Sequence, residues 1–341
     1  MKNWEKMRSS EKMREIQVKR SLIRDGIRDF FKARGFLEMN TPALVSCAGQ
    51  EPYLSPFKVS FSDDKNKKFD GFLITSPEYS LKKMLAAGFD KVFELAKVFR
   101  ANESFGGTHN PEFTMLEWYR QNSDYKQIMQ DTEQLIGFLA KKINGSNIIE
   151  YQGQKINIAP PWPKFTVKEL FQKYANINLD KAKALNDFKK QARKEYKKFS
   201  DWNDIFYLVF LNEIEPNLPK DKPVIIYDYP LPQASLAKKK NKNSFYAERF
   251  EVYMGGMELA NAFSELLDAK EQYARFKEEY SLRKKLKKDA INIDKDLLLA
   301  LELKIAPTGG IALGVERLEM LLLDVANIND LLPFPANQLF D

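Results

Sequence analysis

The chain has 341 residues, 44% of them hydrophobic and 13% aromatic, which is ample for a packed core and excludes a disordered chain. Its single cysteine, Cys47, excludes an internal disulfide framework and a multi-cysteine zinc site, and its single histidine, His109, excludes a His-rich metal site. A net charge of +7 points to an acidic partner or to solvated lysine-rich faces, and both readings stay open.

In chain order, the N-terminus MKNWEKMRSSEKMREIQ is charged and lacks the apolar stretch of a secretory signal. No apolar run approaches the ~20 residues that span a bilayer, so no membrane association is expected and the protein reads as cytoplasmic. Residues 11–34 predict an amphipathic helix, with Ile16, Ile23, Ile27 and Phe30 near one face and Gly35 as the stop. The turn Asn40-Thr41-Pro42 leads into an extended stretch. Ser76-Pro77-Glu78 predicts a helix start, with serine as N-cap, proline at the first helical position and an acid in the first turn. That helix runs through Lys82, Met84 and Leu85 and stops at Gly88.

Strands are expected at 92–100 and 112–120, joined by the loop 101–111. Residues 125–220 read as helical and lysine-rich, with no chemical motif. Gly255-Gly256 between 250–254 and 257–260 signals a hairpin. A short strand at 310–313 precedes a helix opened by Gly314 and running from Val315 to about Leu323. The lysine runs at 238–240 and 284–288 read as solvated faces without the interleaved aromatics of a single-strand binding platform. Hairpins and helices without regular βαβ alternation predict an α+β fold with an antiparallel sheet flanked by helices.

Alternation along 112–120 puts Phe113, Met115, Glu117 and Tyr119 on one face and Thr114, Leu116 and Trp118 on the other. The second face is plain core. On the first, a buried Glu117 requires a partner, either a cationic ligand or a structural arginine or lysine. In the hairpin, Tyr253 falls opposite Glu258, which makes Glu251 and Glu258 diagonal neighbours on one face. With no basic residue between them, the pair suits magnesium shared with phosphate oxygens; solvated edge glutamates are the alternative. Glu265 follows as a third carboxylate. Arg100 at a strand end and Arg317 in the first turn of a glycine-opened helix suit phosphate groups. The glycines at 106–107 and 309–310 fit neither a P-loop nor a dinucleotide fingerprint, and no GxSxG elbow is present.

FELAKVFRANESFGGTHNPEFTMLEWYR resembles motif 2 of class II lysyl-tRNA synthetases, and GGIALGVERLEMLL resembles their motif 3. Helix 11–34 with the turn at Thr41-Pro42 is similar to motif 1, the dimer-forming element, and ERFEVYMGGMELANAFSEL matches the carboxylate-bearing segment between motifs 2 and 3. The likeness runs from about residue 15 to the C-terminus and is loose only over 125–220. It implies one class II synthetase-like catalytic domain over residues 1–341, with motif 1 at about 11–45, motif 2 at about 92–120, a helical insertion at about 125–220 and motif 3 at about 309–325. Within that family, SPEYSLKKMLAAG, LEWYR and PQASLA are most similar to the ligases that attach (R)-β-lysine to elongation factor P. Ala312 stands where lysyl-tRNA synthetases carry glycine and these ligases carry alanine. The chain opens almost at motif 1, so no anticodon-binding domain is expected.

The resemblance implies ATP and Mg2+ as cofactors, elongation factor P as acceptor, lysine or β-lysine as substrate, and a homodimer; tRNA is not expected as acceptor. Arg100 would bind the α-phosphate, Arg317 the γ-phosphate, and Phe113 would stack on adenine. Glu103, His109, Asn110, Glu258, Leu259 and Gly314 would contact ATP, and Glu251 and Glu258 would hold magnesium. Glu117, Tyr119 and Glu265 would grip the side-chain ammonium, with Ser76, Pro77 and Glu78 near the other amine and Ala312 shaping the pocket. Two departures stand out: the loop from Arg100 to His109 is one residue longer than in those relatives, and Ala262, placed next to the amine pocket, replaces a usual glycine. The alternatives are a shortened lysyl-tRNA synthetase and a non-catalytic basic RNA- or protein-binding paralogue.

Overall fold

The computed structural model describes residues 1–289 and 291–340. Eight strands form its main sheet, in the spatial order Leu37–Glu38, Lys91–Phe99, Glu112–Gln121, Thr308–Gly314, Met257–Ser264, Tyr246–Met254, Val224–Pro230 and Lys164–Thr166. The six central strands pair antiparallel. The two edge pairings are parallel, so the expected antiparallel sheet is in fact mixed. Those edge strands are two and three residues long, too short for alternation to announce them.

The strand Glu112–Gln121 divides its side chains as alternation requires. Leu116 and Trp118 enter the core beneath the helix Glu11–Lys32, where Trp118 meets Phe31 at 5.1 Å between ring centroids. That helix starts at Ser10, whose hydroxyl accepts the Met13 N–H, and it buries Ile16, Ile23, Ile27 and Phe30. Arg20 and Arg24 tie it to the helix Val315–Leu322, bonding Glu319 at 2.7 and 3.0 Å. Glu316 on the same helix accepts the Thr114 N–H at 2.8 Å, which locks the helix to the central strand. The turn at Thr41 is fixed too, its N–H and hydroxyl both donating to Glu94 at 2.9 Å.

The region 125–220 is not uniformly helical. A helix Tyr125–Asn144, capped by Asp124 and stopped by Gly145 at φ 69°, is followed by the hairpin Ile148–Tyr151 and Gln154–Asn157 and then by the edge strand. Gln152 and Gly153, both at positive φ, form its two-residue turn. Four-residue strands leave too few alternations to outweigh a lysine-rich background. Beyond them, short helices pack around Phe171, Phe188, Trp202 and Phe206. No helix among the described residues is long and apolar enough to cross a membrane.

Candidate active site

A cavity of about 940 Å3 opens on the face of the sheet opposite the helix Glu11–Lys32. Phe113, Met115, Glu117 and Tyr119 line it from the central strand, and Ala312 and Gly314 from its neighbour. Glu258 and Leu259 come from the hairpin; Arg100, Glu103, His109 and Asn110 come from the loop end; and Ser76, Glu78 and Arg317 complete the wall. Of the sequence-predicted residues, Pro77, Glu251 and Glu265 stand behind this lining rather than in it.

At one end the cavity is acidic. Glu117 is buried, and its partners are neutral: Tyr119 Oη donates to Oε1 at 2.5 Å and Ser76 Oγ to Oε2 at 2.7 Å. Burial, reinforced by Glu78, raises its pKa to about 8. Ser76 also accepts the Glu78 N–H at 3.1 Å; the helix proper runs Glu78–Ala86, one residue later than the sequence suggested, with Pro77 at the cap. Lys82, buried on that helix, bonds Glu78 at 2.5 Å and Glu265 at 2.6 Å. Burial alone would lower the lysine's pKa, but the two carboxylates reverse that, and it stays charged.

Glu265 is therefore in an ion pair, yet its Oε1 has no hydrogen-bond partner, and burial raises its pKa to about 8 against the pull of Lys82. Gly310 makes room for it: a Cβ there would collide with Glu265 Oε1 and the Tyr119 ring. Glu78 and Glu265 thus share one lysine while Glu117 has no cation, which leaves the three carboxylates two positive charges short when all are ionised.

The other end is basic. Arg317 donates to the Glu258 carbonyl at 2.7 Å and lies 3.0 Å from His109 Nε2. His109 has a lowered pKa, through burial and then Arg317, so it stays neutral and can accept. Glu103 Oε2 lies 3.9 Å from the same nitrogen. Arg100 sits 5.2 Å from the Phe113 ring centre, with its buried Nε unpartnered. The Asn110 side chain is engaged by backbone, donating to the Glu112 carbonyl at 2.6 Å and accepting the Ala336 N–H at 3.0 Å.

Glu258 and Glu251 differ as magnesium donors. Among the described residues, no side chain hydrogen-bonds or pairs with the Glu258 carboxylate, and burial, then Glu251, raises its pKa to about 7. Glu251 already accepts from Tyr229 at 2.6 Å, Tyr253 at 2.9 Å and Arg249 at 2.5 Å. A carboxylate offers about four lone-pair positions, so Glu251 keeps roughly one for a cation. No basic residue lies between the two acids, as expected, but Arg249 beside Glu251 was not anticipated. It lies two residues before Glu251 on the same strand and therefore on the same side. These strands are interior to the sheet, so the solvated-edge alternative falls as well. A bulge between Val252 and Tyr253 keeps Tyr253 opposite Glu258 but moves Glu251 opposite Asn261. No group of three or more His, Cys, Asp or Glu side chains among the described residues could hold a metal. A divalent ion at Glu258 would take its other oxygens from phosphates and water.

Ala262 departs from expectation. It is fully buried in the core, paired across the strands with Phe250, and does not line the cavity. Sequence reasoning also missed Lys82, Arg249, Glu51 and Glu279. Glu51 and Glu279 line the cavity, each pushed up by burial and then by an acidic neighbour. The only available signal was Glu78 four residues before Lys82, which is the usual pattern of a surface ion pair.

Residues 2–338 match the tRNA synthetases class II (D, K and N), and the chain belongs to that family. It is 37% identical over 327 residues to a lysine–tRNA ligase of Thermoanaerobacter sp. (strain X514), covering 95% of this chain and 64% of the relative. It is 39% identical over 332 residues to a lysine–tRNA ligase of Buchnera aphidicola subsp. Cinara cedri, covering 96% and 64% respectively. The chain thus spans just under two thirds of the length of the curated relatives it matches.

Proposed function

We propose that this protein uses ATP to activate (R)-β-lysine as an adenylate and transfers the acyl group to a lysine side chain of elongation factor P. The observation that carries the substrate class is the charge of the inner pocket. Glu117, Glu78 and Glu265 face a single cation, Lys82, and Glu117 has none of its own. An amino acid with two ammonium groups supplies the missing charge and satisfies Glu117 without a structural cation.

In the first step a substrate carboxylate oxygen attacks the α-phosphorus, and the bond to pyrophosphate breaks. The carboxylate is ionised at neutral pH, so no general base is required, consistent with a neutral His109. Arg100 and Arg317 would neutralise phosphate charge, and Phe113 would pack on the base. Magnesium, held mainly by Glu258 with Glu251 behind it, would add charge neutralisation on the phosphates. In the second step an acceptor amine attacks the adenylate carbonyl carbon, AMP departs, and the amine's extra proton passes to solvent. Pairing through residues 11–45 would give a homodimer; Val18 and Leu22 on that helix are exposed, as such an interface requires.

Ala312, which pairs across the sheet with Glu117, supports the protein acceptor because the resembling ligases carry alanine there. The relatives' name, lysine–tRNA ligase, favours a second reading, in which lysine is charged onto tRNA by the same first step. Mass spectrometry of elongation factor P and of tRNA, each incubated with enzyme, ATP and either lysine isomer, separates the two. Acylated tRNA with unmodified elongation factor P would reverse the assignment.

A further inference from the structure

We infer that the lysine-rich segment 181–198, packed behind residues that line the cavity, is the docking surface for an acidic protein that presents a lysine side chain to the active site. The inference rests on the protein-acceptor reading above and places the acceptor's contact. Residues 181–198 hold eight basic and two acidic side chains, a surplus of six in a chain whose net charge is +7. Within the segment, Lys190 pairs with Asp187 and Arg193 with Glu213, while Lys181, Lys183, Lys189, Lys194, Lys197 and Lys198 make no ion pair among the described residues. All six but Lys189 are exposed.

Position makes the surplus relevant to the reaction. Phe188 packs on Trp202 at 5.0 Å, and the Trp202 indole donates to the Ala182 carbonyl at 2.8 Å. Trp202 meets Phe245 edge-on at 6.0 Å, and Lys183 lies over that same ring at 5.7 Å. Phe245 lines the cavity, as does Asn203, the residue after Trp202. Lys183 is thus one side-chain layer from the cavity lining.

Two features select a protein over a nucleic acid. Glu278, exposed where it lines the cavity, would oppose entering phosphates and attract an entering ammonium. The patch is also almost all lysine, and its one arginine is committed to Glu213. It therefore offers diffuse positive charge without the forked donors that grip phosphates and base edges. An acidic body with a protruding lysine complements both the lysine-rich segment and Glu278.

The test is a variant carrying Lys183→Glu, Lys194→Glu, Lys197→Glu and Lys198→Glu, with a quadruple glutamine version as the milder comparison. Elongation factor P and a lysine tRNA transcript serve as probes at low and high salt, with pyrophosphate exchange measured in parallel. Exchange stays at the wild-type level. Elongation factor P binding and KM weaken about thirtyfold at low salt for the glutamate variant, less for glutamine, and the gap closes at high salt. An unchanged KM, no wild-type binding of elongation factor P, or a loss confined to tRNA would overturn the inference. Loss of amino-acid-dependent exchange in the wild type would instead sink the activation chemistry proposed above.

Discussion

Binding of the dicationic amino acid should depend on pH through Glu117. In the unliganded protein its carboxyl titrates near pH 8, because burial and Glu78 oppose ionisation while Tyr119 and Ser76 favour it only as neutral donors. Lys82, the nearest cation, is shared between Glu78 and Glu265. A ligand ammonium requires the ionised form, so below pH 8 each unit of acidification costs about tenfold in affinity, or about 1.4 kcal/mol. Between pH 6 and pH 8 the dissociation constant for lysine or β-lysine should fall roughly 50-fold by the single-site relation. Glu117→Gln should weaken binding at pH 8 and reduce the slope by about one proton. The stability of the unliganded enzyme runs the other way. A carboxyl whose pKa is raised on folding stabilises the fold while protonated and loses that contribution as pH climbs from about 4.5 to about 8. Glu117→Gln should flatten that loss. Calorimetric titration across the range, with melting curves alongside, measures both. Unaltered pH dependence in Glu117→Gln would refute this account of the pocket.

Lys82→Met should destabilise the protein by about 3–5 kcal/mol at pH 8, by leaving Glu78 and Glu265 without their cation, and by less at pH 5, where Glu265, raised by burial, is protonated; denaturant melts at the two pH values check this. Gly310→Ala should displace Glu265 or the Tyr119 ring and raise the amino-acid KM well above any change in the ATP KM, which steady-state exchange kinetics resolve. Arg317→Ala should cut pyrophosphate exchange by about 10²–10³-fold with the fold intact by circular dichroism, and undiminished exchange would remove Arg317 from the phosphate site.

What the sequence made legible follows from periodicity and reach. Two-residue alternation sorted Phe113, Glu117 and Tyr119 from Leu116 and Trp118 because the strand Glu112–Gln121 is long and central, with a different solvent on each face. The hairpin was legible because Gly255 and Gly256 both take positive φ, at 58° and 81°. Alternation misled at Glu251, where one bulge changed its partner, and the resemblance misled at Ala262, which lies next to Phe263 on the opposite, core face. Lys82 was illegible for another reason. Its role depends on Glu265, which is far away in sequence, and nothing local to the helix Glu78–Ala86 marks that lysine as buried.

The same distance separates what a motif carries from what the pocket decides. Arg100 and Arg317 sit in segments recognisable one at a time, and in the proposed reaction their contact with phosphate would need little beyond that position. In the proposed reaction, substrate charge would instead be set by a sum over Glu117, Glu78, Glu265 and Lys82, drawn from three separate elements. Removing one acid or adding one cation at any of them would change which amino acid fits while leaving every phosphate-binding motif intact. On that proposal, selectivity for a diamine would be easier to alter by substitution than the activation chemistry. A Glu265→Gln variant, which keeps Lys82 against Glu78 but removes one negative charge, should lose discrimination between lysine and its monoamine analogue norleucine at unchanged ATP affinity. Exchange assays with the two amino acids read this directly, and retained discrimination would show that Glu265 serves only to hold Lys82.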